Sequence, residues 1–202
     1  MTTYPPEPWN LAGQAYLSLW RVPVSELPEL PDGVEPVVAG GRAQVFTAWI
    51  DYQEPGQLRY HELLATVAVR GKRLSSSITD IWVDSEVSLA GGRALWGIPK
   101  DLAVLDFTHG RTFTASAATD EDWIATAAFT ARPGLPLALP AAFDVVQILD
   151  GGIKRSPVRA KARPHPAAAD WKINEAGPLG FLAGQKAVLS AHLRDFKIVF
   201  GG

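Results

Sequence analysis

Apolar positions in this chain come in short runs that alternate with polar ones, and glycine and proline separate the runs. Alternation with period two predicts strands, because successive side chains on a strand point to opposite faces. Strands are expected at Gln14–Val22 and at Ala43–Gln53, the latter closed by the turn Glu54-Pro55-Gly56. Leu58–Val69 and Leu74–Val83 read as a hairpin around Arg70-Gly71-Lys72-Arg73. Further strands are expected at Ala103–Thr108, Arg111–Ala117 and Trp123–Ala131, with turns at His109-Gly110 and Thr119-Asp120. Phe143–Leu149 and Ile153–Lys161 form a second predicted hairpin around Asp150-Gly151-Gly152. Trp171–Asn174 is a short extended piece, and Val188–Phe200 a closing strand. Pro23–Pro36 carries four prolines and reads as a loop with one short helical turn. Arg132–Pro140 and Ala162–Ala169 are expected to be connections. The tally is about ten strands.

One helix is expected between these strands. Asp84 or Ser85 can cap it, Glu86 suits its first turn, and it runs through Val87, Leu89 and Ala90 toward Ala94 and Leu95. Gly91-Gly92 weakens it by roughly 1 kcal/mol per glycine, so the pair implies close packing or a ligand nearby. The fold class is therefore mainly β with a few helices, α+β, in a single domain spanning 1–202 with neither internal repeat nor linker.

Composition narrows the function classes. Apolar residues make up 47% of the 202 and charged residues 20%, as in a folded soluble protein. A net charge of −2 gives no basic excess for a phosphate backbone, so no nucleic-acid partner is expected. The zero cysteine count removes disulfides, thiolate catalysis and Cys-ligated metals. No apolar run is long enough to span a membrane, and the start MTTYPPEPWNLAGQ lacks a basic-then-apolar signal, so no membrane association and a cytoplasmic location are expected. His61, His109, His165 and His192 show no metal-ligand spacing and read as surface or hydrogen-bonded residues; no metal, flavin or nucleotide cofactor is expected. Asp120-Glu121-Asp122 reads as a solvated acidic loop.

The segment from Ser88 to Ala103 is different. Lys100 follows Trp96-Gly97-Ile98-Pro99 at the end of a glycine-rich helical turn with apolar flanks. An ammonium forced into an apolar pocket is disfavoured, and the free amine can attack a ketone to form a Schiff base. The competing reading is a loop lysine with its head in water.

Gly91-Gly92-Arg93-Ala94-Leu95-Trp96-Gly97-Ile98-Pro99-Lys100 resembles the GGRE-x-WGFPKK signature of the acetoacetate decarboxylase superfamily. Ile81–Ala90 resembles its YVDN-x-x-A-x-A lead-in, and Tyr60-His61-Glu62-Leu63 its Tyr-x-Glu segment. The resemblance implies a closed, mostly antiparallel β-barrel of double-cone type, in homo-oligomers. It puts Lys100 at the Schiff-base nucleophile and Glu62 at the active-site glutamate, acting on a small keto acid or other carbonyl substrate. Arg93, Trp82 and Trp96 are candidate substrate contacts or pocket walls, and Gln14 falls near the family's N-terminal active-site arginine. Three departures follow from the same comparison: Asp101 replaces the second lysine, Ala94 the glutamate after the arginine, and Gly13 or Gln14 the N-terminal arginine. An aspartate close to the amine would favour the ammonium, so imine chemistry requires Asp101 to point away or burial alone to free the amine. Decarboxylation, aldol addition, retro-aldol cleavage and dehydration all run through the same imine and enamine. The alternative is a non-catalytic barrel that binds a small apolar carbonyl compound or a lipid-like molecule.

Overall fold

The computed structural model describes residues 2–134 and 136–202. Its strands are β1 (Trp9–Pro23), β2 (Val38–Ala39), β3 (Arg42–Gln53), β4 (Tyr60–Val69), β5 (Ser75–Val83), β6 (Lys100–Leu102), β7 (Val104–Thr108), β8 (Phe113–Ala118), β9 (Trp123–Ala131), β10 (Leu139–Leu149), β11 (Gly152–Ile173) and β12 (Leu189–Phe200). The helix α1 (Glu86–Trp96) joins β5 to β6, and Val24–Glu26 and Gly180–Leu182 form short 3-10 turns.

The strands make a single sheet in the order β10-β5-β4-β3-β1-β12-β11-β9-β8-β7. β10 pairs with β11 as well as β5, so the path from β10 to β11 returns to its own start. Pairing is antiparallel throughout except for the short β10–β5 and β5–β6 contacts, which are parallel. Both expected hairpins are present, as β4–β5 and β10–β11.

Both expected connections differ from the structure. Ala162–Ala169 is strand, not loop, and belongs to the 22-residue β11. β11 pairs with β10 through Ala162, with β12 through Ala167, and with β9 from Ala167 to Ile173. Between Arg163 and Pro166, β12 is its only strand partner among the described residues. Pro164 and Pro166 occupy that one-sided stretch, where a missing N–H is tolerated. The expected connection at 132–140 includes Leu135, which lies outside the described residues, and β10 already begins at Leu139.

Alternation sends neighbouring residues into different cores. Ile50, Tyr52, Tyr60, Ile81 and Val83 join Trp9, Trp96 and Ile98 in one. Trp49, Leu63 and Trp82 join Tyr16, Leu105, Phe113 and Phe129 in a second. The segment β3–β4–β5 is thus a wall with a packed core on each side, and a residue's parity decides which core it enters.

Candidate active site

α1 and β6 deliver Lys100. The Ser85 hydroxyl caps α1 by accepting from the Ser88 N–H at 3.2 Å, with Glu86 in the first turn. Gly97 ends the helix in the left-handed region at φ 65°. Its N–H reaches the Arg93 carbonyl at 3.0 Å, the single bond of an αL stop, and the Ile98 N–H reaches the Gly92 carbonyl at 3.1 Å. A Cβ at Gly97 would lie 1.9 Å from the Ile148 carbonyl oxygen, so packing as well as φ demands glycine. The chain then enters β6, which runs parallel to β5 with Lys100 opposite Ile81 and Asp101 opposite Trp82.

That register buries Lys100, 4% exposed, on the side of the first core. Its Nζ donates to Glu62 Oε2 at 2.7 Å, to Ser88 Oγ at 2.8 Å and to the Tyr60 hydroxyl at 3.3 Å. Nζ also lies 5.0 Å from the centre of the Tyr60 ring. Glu62, 2% exposed, accepts from Tyr52 at 3.1 Å on Oε1 and from Tyr60 at 3.3 Å on Oε2. Burial pushes both tyrosines well above their usual pKa, and the Glu62 charge pushes the same way. They remain donors under ordinary conditions. Every oxygen of the carboxylate and every proton of the ammonium therefore has a partner.

Gly92 makes room for the lysine stem. A Cβ there would lie 2.7 Å from Lys100 Cδ and 2.8 Å from Cε. Gly91 makes the same allowance for Trp9, whose ring would be 2.4 Å from an added Cβ. The close packing implied by the glycine pair is present at both positions.

Lys100 and Glu62 meet, but the other sequence candidates do not all join them. Asp101 alternates outward, its side chain 72% exposed and 3.6 Å from Arg93 Nη2. The carboxylate paired with Lys100 is thus that of Glu62, not that of its chain neighbour. Arg93 donates from Nε to the Lys100 backbone carbonyl at 2.7 Å, so it holds the strand end and not the amine. Trp96 lies in the first core against Trp9 and Phe200, and its Nε1 donates to Glu7. Trp82 packs in the second core, across the wall from Nζ. Gln14 bonds His192 and Asp195, away from the lysine. Gly13 offers no substitute, since a Cβ there would lie 1.9 Å from the Asp51 carbonyl oxygen.

Ser88, Tyr52 and Tyr60 are the partners sequence reading missed. Tyr60 and Glu62 share a face by the i, i+2 rule, so that signal was present in the segment Tyr60-His61-Glu62. Ser88 falls one helical turn after the cap, but its contact with Lys100 depends on how α1 folds back over β6.

The four histidines, distant in sequence, are neighbours on the other side of the wall. His61 donates to Asp84 at 2.8 Å and lies 3.6 Å from Asp51, while His109 donates to Asp51 at 2.8 Å. Tyr16 contacts His109 at 3.4 Å and stacks on His192 at 4.2 Å, with His165 at 6.4 Å beyond. The Asp84 hydrogen bond raises the His61 pKa. Among the described residues no group of acidic and histidine side chains is arranged to hold a metal ion. An open cleft of about 520 Å³ at this end of β3 and β4 is lined by Asp51, His61 and Asp84, together with Tyr52 and Tyr60. Those two tyrosines belong both to the cleft and to the Lys100 cluster.

A family model described as acetoacetate decarboxylase matches residues 4–158. The chain belongs to the acetoacetate decarboxylase family. The family's acetoacetate decarboxylase from Chromobacterium violaceum is 34% identical over 104 residues, a match that covers 48% of this chain and 39% of that protein. The chain is thus aligned to well under half of that relative's length. The acetoacetate decarboxylase structure from Legionella pneumophila superposes with a TM-score of 0.75 at 18% identity, covering 100% of this chain and 88% of that one. The enduracididine biosynthesis enzyme MppR, complexed with pyruvate, gives a TM-score of 0.74 at 18% identity, covering 99% and 90%. These likenesses establish the family's mainly β fold with few helices.

Proposed function

We propose that the protein is an acetoacetate-decarboxylase-like lyase that condenses Lys100 with a small keto or other carbonyl substrate. The observation that carries this reading is the buried Lys100 amine, 2.7 Å from Glu62, inside a family whose signature ends at that lysine. Glu62 takes a proton from the ammonium, and the freed lone pair attacks the carbonyl carbon. Loss of water gives the iminium, which draws in the electron pair of a bond one carbon removed. The proton held by Glu62 leaves with that water; carbon dioxide or an aldehyde then departs, and Glu62 takes a fresh proton from solvent and passes it to the enamine carbon. Hydrolysis then returns the ketone and the lysine. The return of the β10–β11 pairing to the start of the path supports a closed barrel as the frame for this chemistry.

Gly13 and Gln14 supply no cation to the lysine, which favours a substrate whose carboxylate, where it has one, is held by other contacts. A second reading, a barrel that only binds a carbonyl compound, draws on the full set of three hydrogen bonds at Nζ.

Borohydride reduction in the presence of acetoacetate, pyruvate or a short aldehyde, followed by intact-mass measurement, separates the two. The lyase reading expects an adduct that disappears in Lys100→Ala and persists in Lys72→Ala. Absence of any adduct favours the binding protein.

A further inference from the structure

Among the described residues, Ser88 is the one partner of the Lys100 nitrogen that is neither charged nor aromatic, and it is fully buried. Its hydroxyl is not used in capping α1, since the Ser85 hydroxyl performs that task. Nothing in the helix requires a hydroxyl at position 88, and a buried polar group needs a reason. The Ser88 Oγ lies 2.8 Å from Nζ, and the Tyr60 hydroxyl, 3.3 Å from the same nitrogen, donates to Glu62.

We propose that Ser88 is a catalytic residue that delivers the proton for the dehydration step of imine formation. The inference rests on the Schiff-base reading of Lys100. After Nζ adds to the carbonyl carbon, the former carbonyl oxygen is a hydroxyl one bond from that carbon, and it must leave as water. It needs a proton, and the ammonium's proton now resides on Glu62, which faces Nζ from β4. Ser88 faces Nζ from α1, so it reaches the departing oxygen on a different side from Glu62. The Ser88 hydroxyl gives its proton to the leaving hydroxyl and regains one from Tyr60. Tyr60 is restored by Glu62. The carbon–oxygen bond breaks, its electron pair leaves with water, and the nitrogen lone pair forms the C=N bond. One proton is moved from Glu62 to water along two hydroxyls, and no external reactant is consumed. Both hydroxyls already bond Nζ, so the relay needs no large rearrangement.

The test measures the rate of borohydride-trapped adduct formation with acetone and with acetoacetate in the full-length protein. Carbinolamines are not reduced by borohydride, so the trap reports dehydration. Ser88→Ala is expected to slow adduct formation by about 100-fold, the lower range for loss of a general acid, with the final adduct still on Lys100. Ser88→Thr retains the hydroxyl and is expected to recover most of the rate. Ser85→Ala, which removes the cap without touching Nζ, is the control for simple helix loosening and is expected to leave the rate unchanged. Adduct formation by Ser88→Ala at the wild-type rate overturns the proposal. So does a Ser88→Ala defect that Ser85→Ala reproduces or Ser88→Thr does not relieve. Failure of the wild-type protein to form any adduct instead overturns the Schiff-base reading, and this step with it.

Discussion

A single missing methyl group governs how the lysine is held. Lys100 has a flexible stem, and in many settings a neighbour could displace it cheaply. Here three hydrogen bonds fix its tip, so an added Cβ at Gly92, 2.7 Å from Cδ, cannot be met by moving the stem without losing them. Gly92→Ala should therefore lower the rate of adduct formation by at least about tenfold, the cost of losing one good hydrogen bond. The helix itself should gain up to ~1 kcal/mol of intrinsic propensity, so denaturant melts need not show a matching loss. Asp101→Asn gives the opposite test at the adjacent position. Its side chain points to solvent, so adduct formation should stay within about twofold of wild type. A large change there would mean that the outward carboxylate influences the amine after all. Replacing Lys100 with methionine leaves Glu62 buried without its cation, and urea melts should show a loss of about 3 kcal/mol.

Secondary structure transmits these positions. Ser85→Ala should cost about 1 kcal/mol of stability by calorimetry or urea melt, the usual worth of a cap. Gly97→Ala should be far worse, because its Cβ would strike the Ile148 carbonyl and shift the junction that aims Lys100. The cap and the strand alternation were legible from residue order because each is a local rule. The family resemblance put Lys100 and Glu62 in one site, but their direct contact at 2.7 Å was not readable from residue order. What sequence could not reveal was parity across the wall. Trp82 and Gln14 have suitable chemistry for a pocket, yet strand register sends both to the opposite core or its rim. Register depends on which strands pair, and that is a long-range property. The prolines of β11 misled for a related reason: whether proline is tolerated in a strand depends on how many partners flank it.

For the molecule as a whole, titration should narrow stability from both ends. Burial, reinforced by the charges of Arg194, His165 and His109, lowers the His192 pKa from 6.5 to about 4. Between those values the unfolded chain binds a proton that the folded state refuses. The associated stability is complete above pH 6.5 and is lost as the pH falls toward 4. Thermal melts at pH 4.5 and pH 7 should differ, and His192→Gln should reduce the difference. Tyr52 and Tyr60 act at the alkaline end. Their values lie well above 10 in the fold, so unfolded chains release protons first and stability declines as pH rises beyond 10. A tyrosinate absorbance titration should show these two rings ionising only as the protein unfolds.

β11 contributes a mechanical property. At 3.3 Å per residue its 22 residues follow a contour of about 70 Å, with one irregularity in register between Lys161 and Arg163. It is stitched to β10 at one end and β9 at the other, with β12 between them. Neither half of the sheet can loosen without pulling on a chain segment bolted into the other. A pulling or hydrogen-exchange experiment should find the two cores yielding together, so damage to the aromatic core around Phe113 would be felt at a lysine on the far side of the wall.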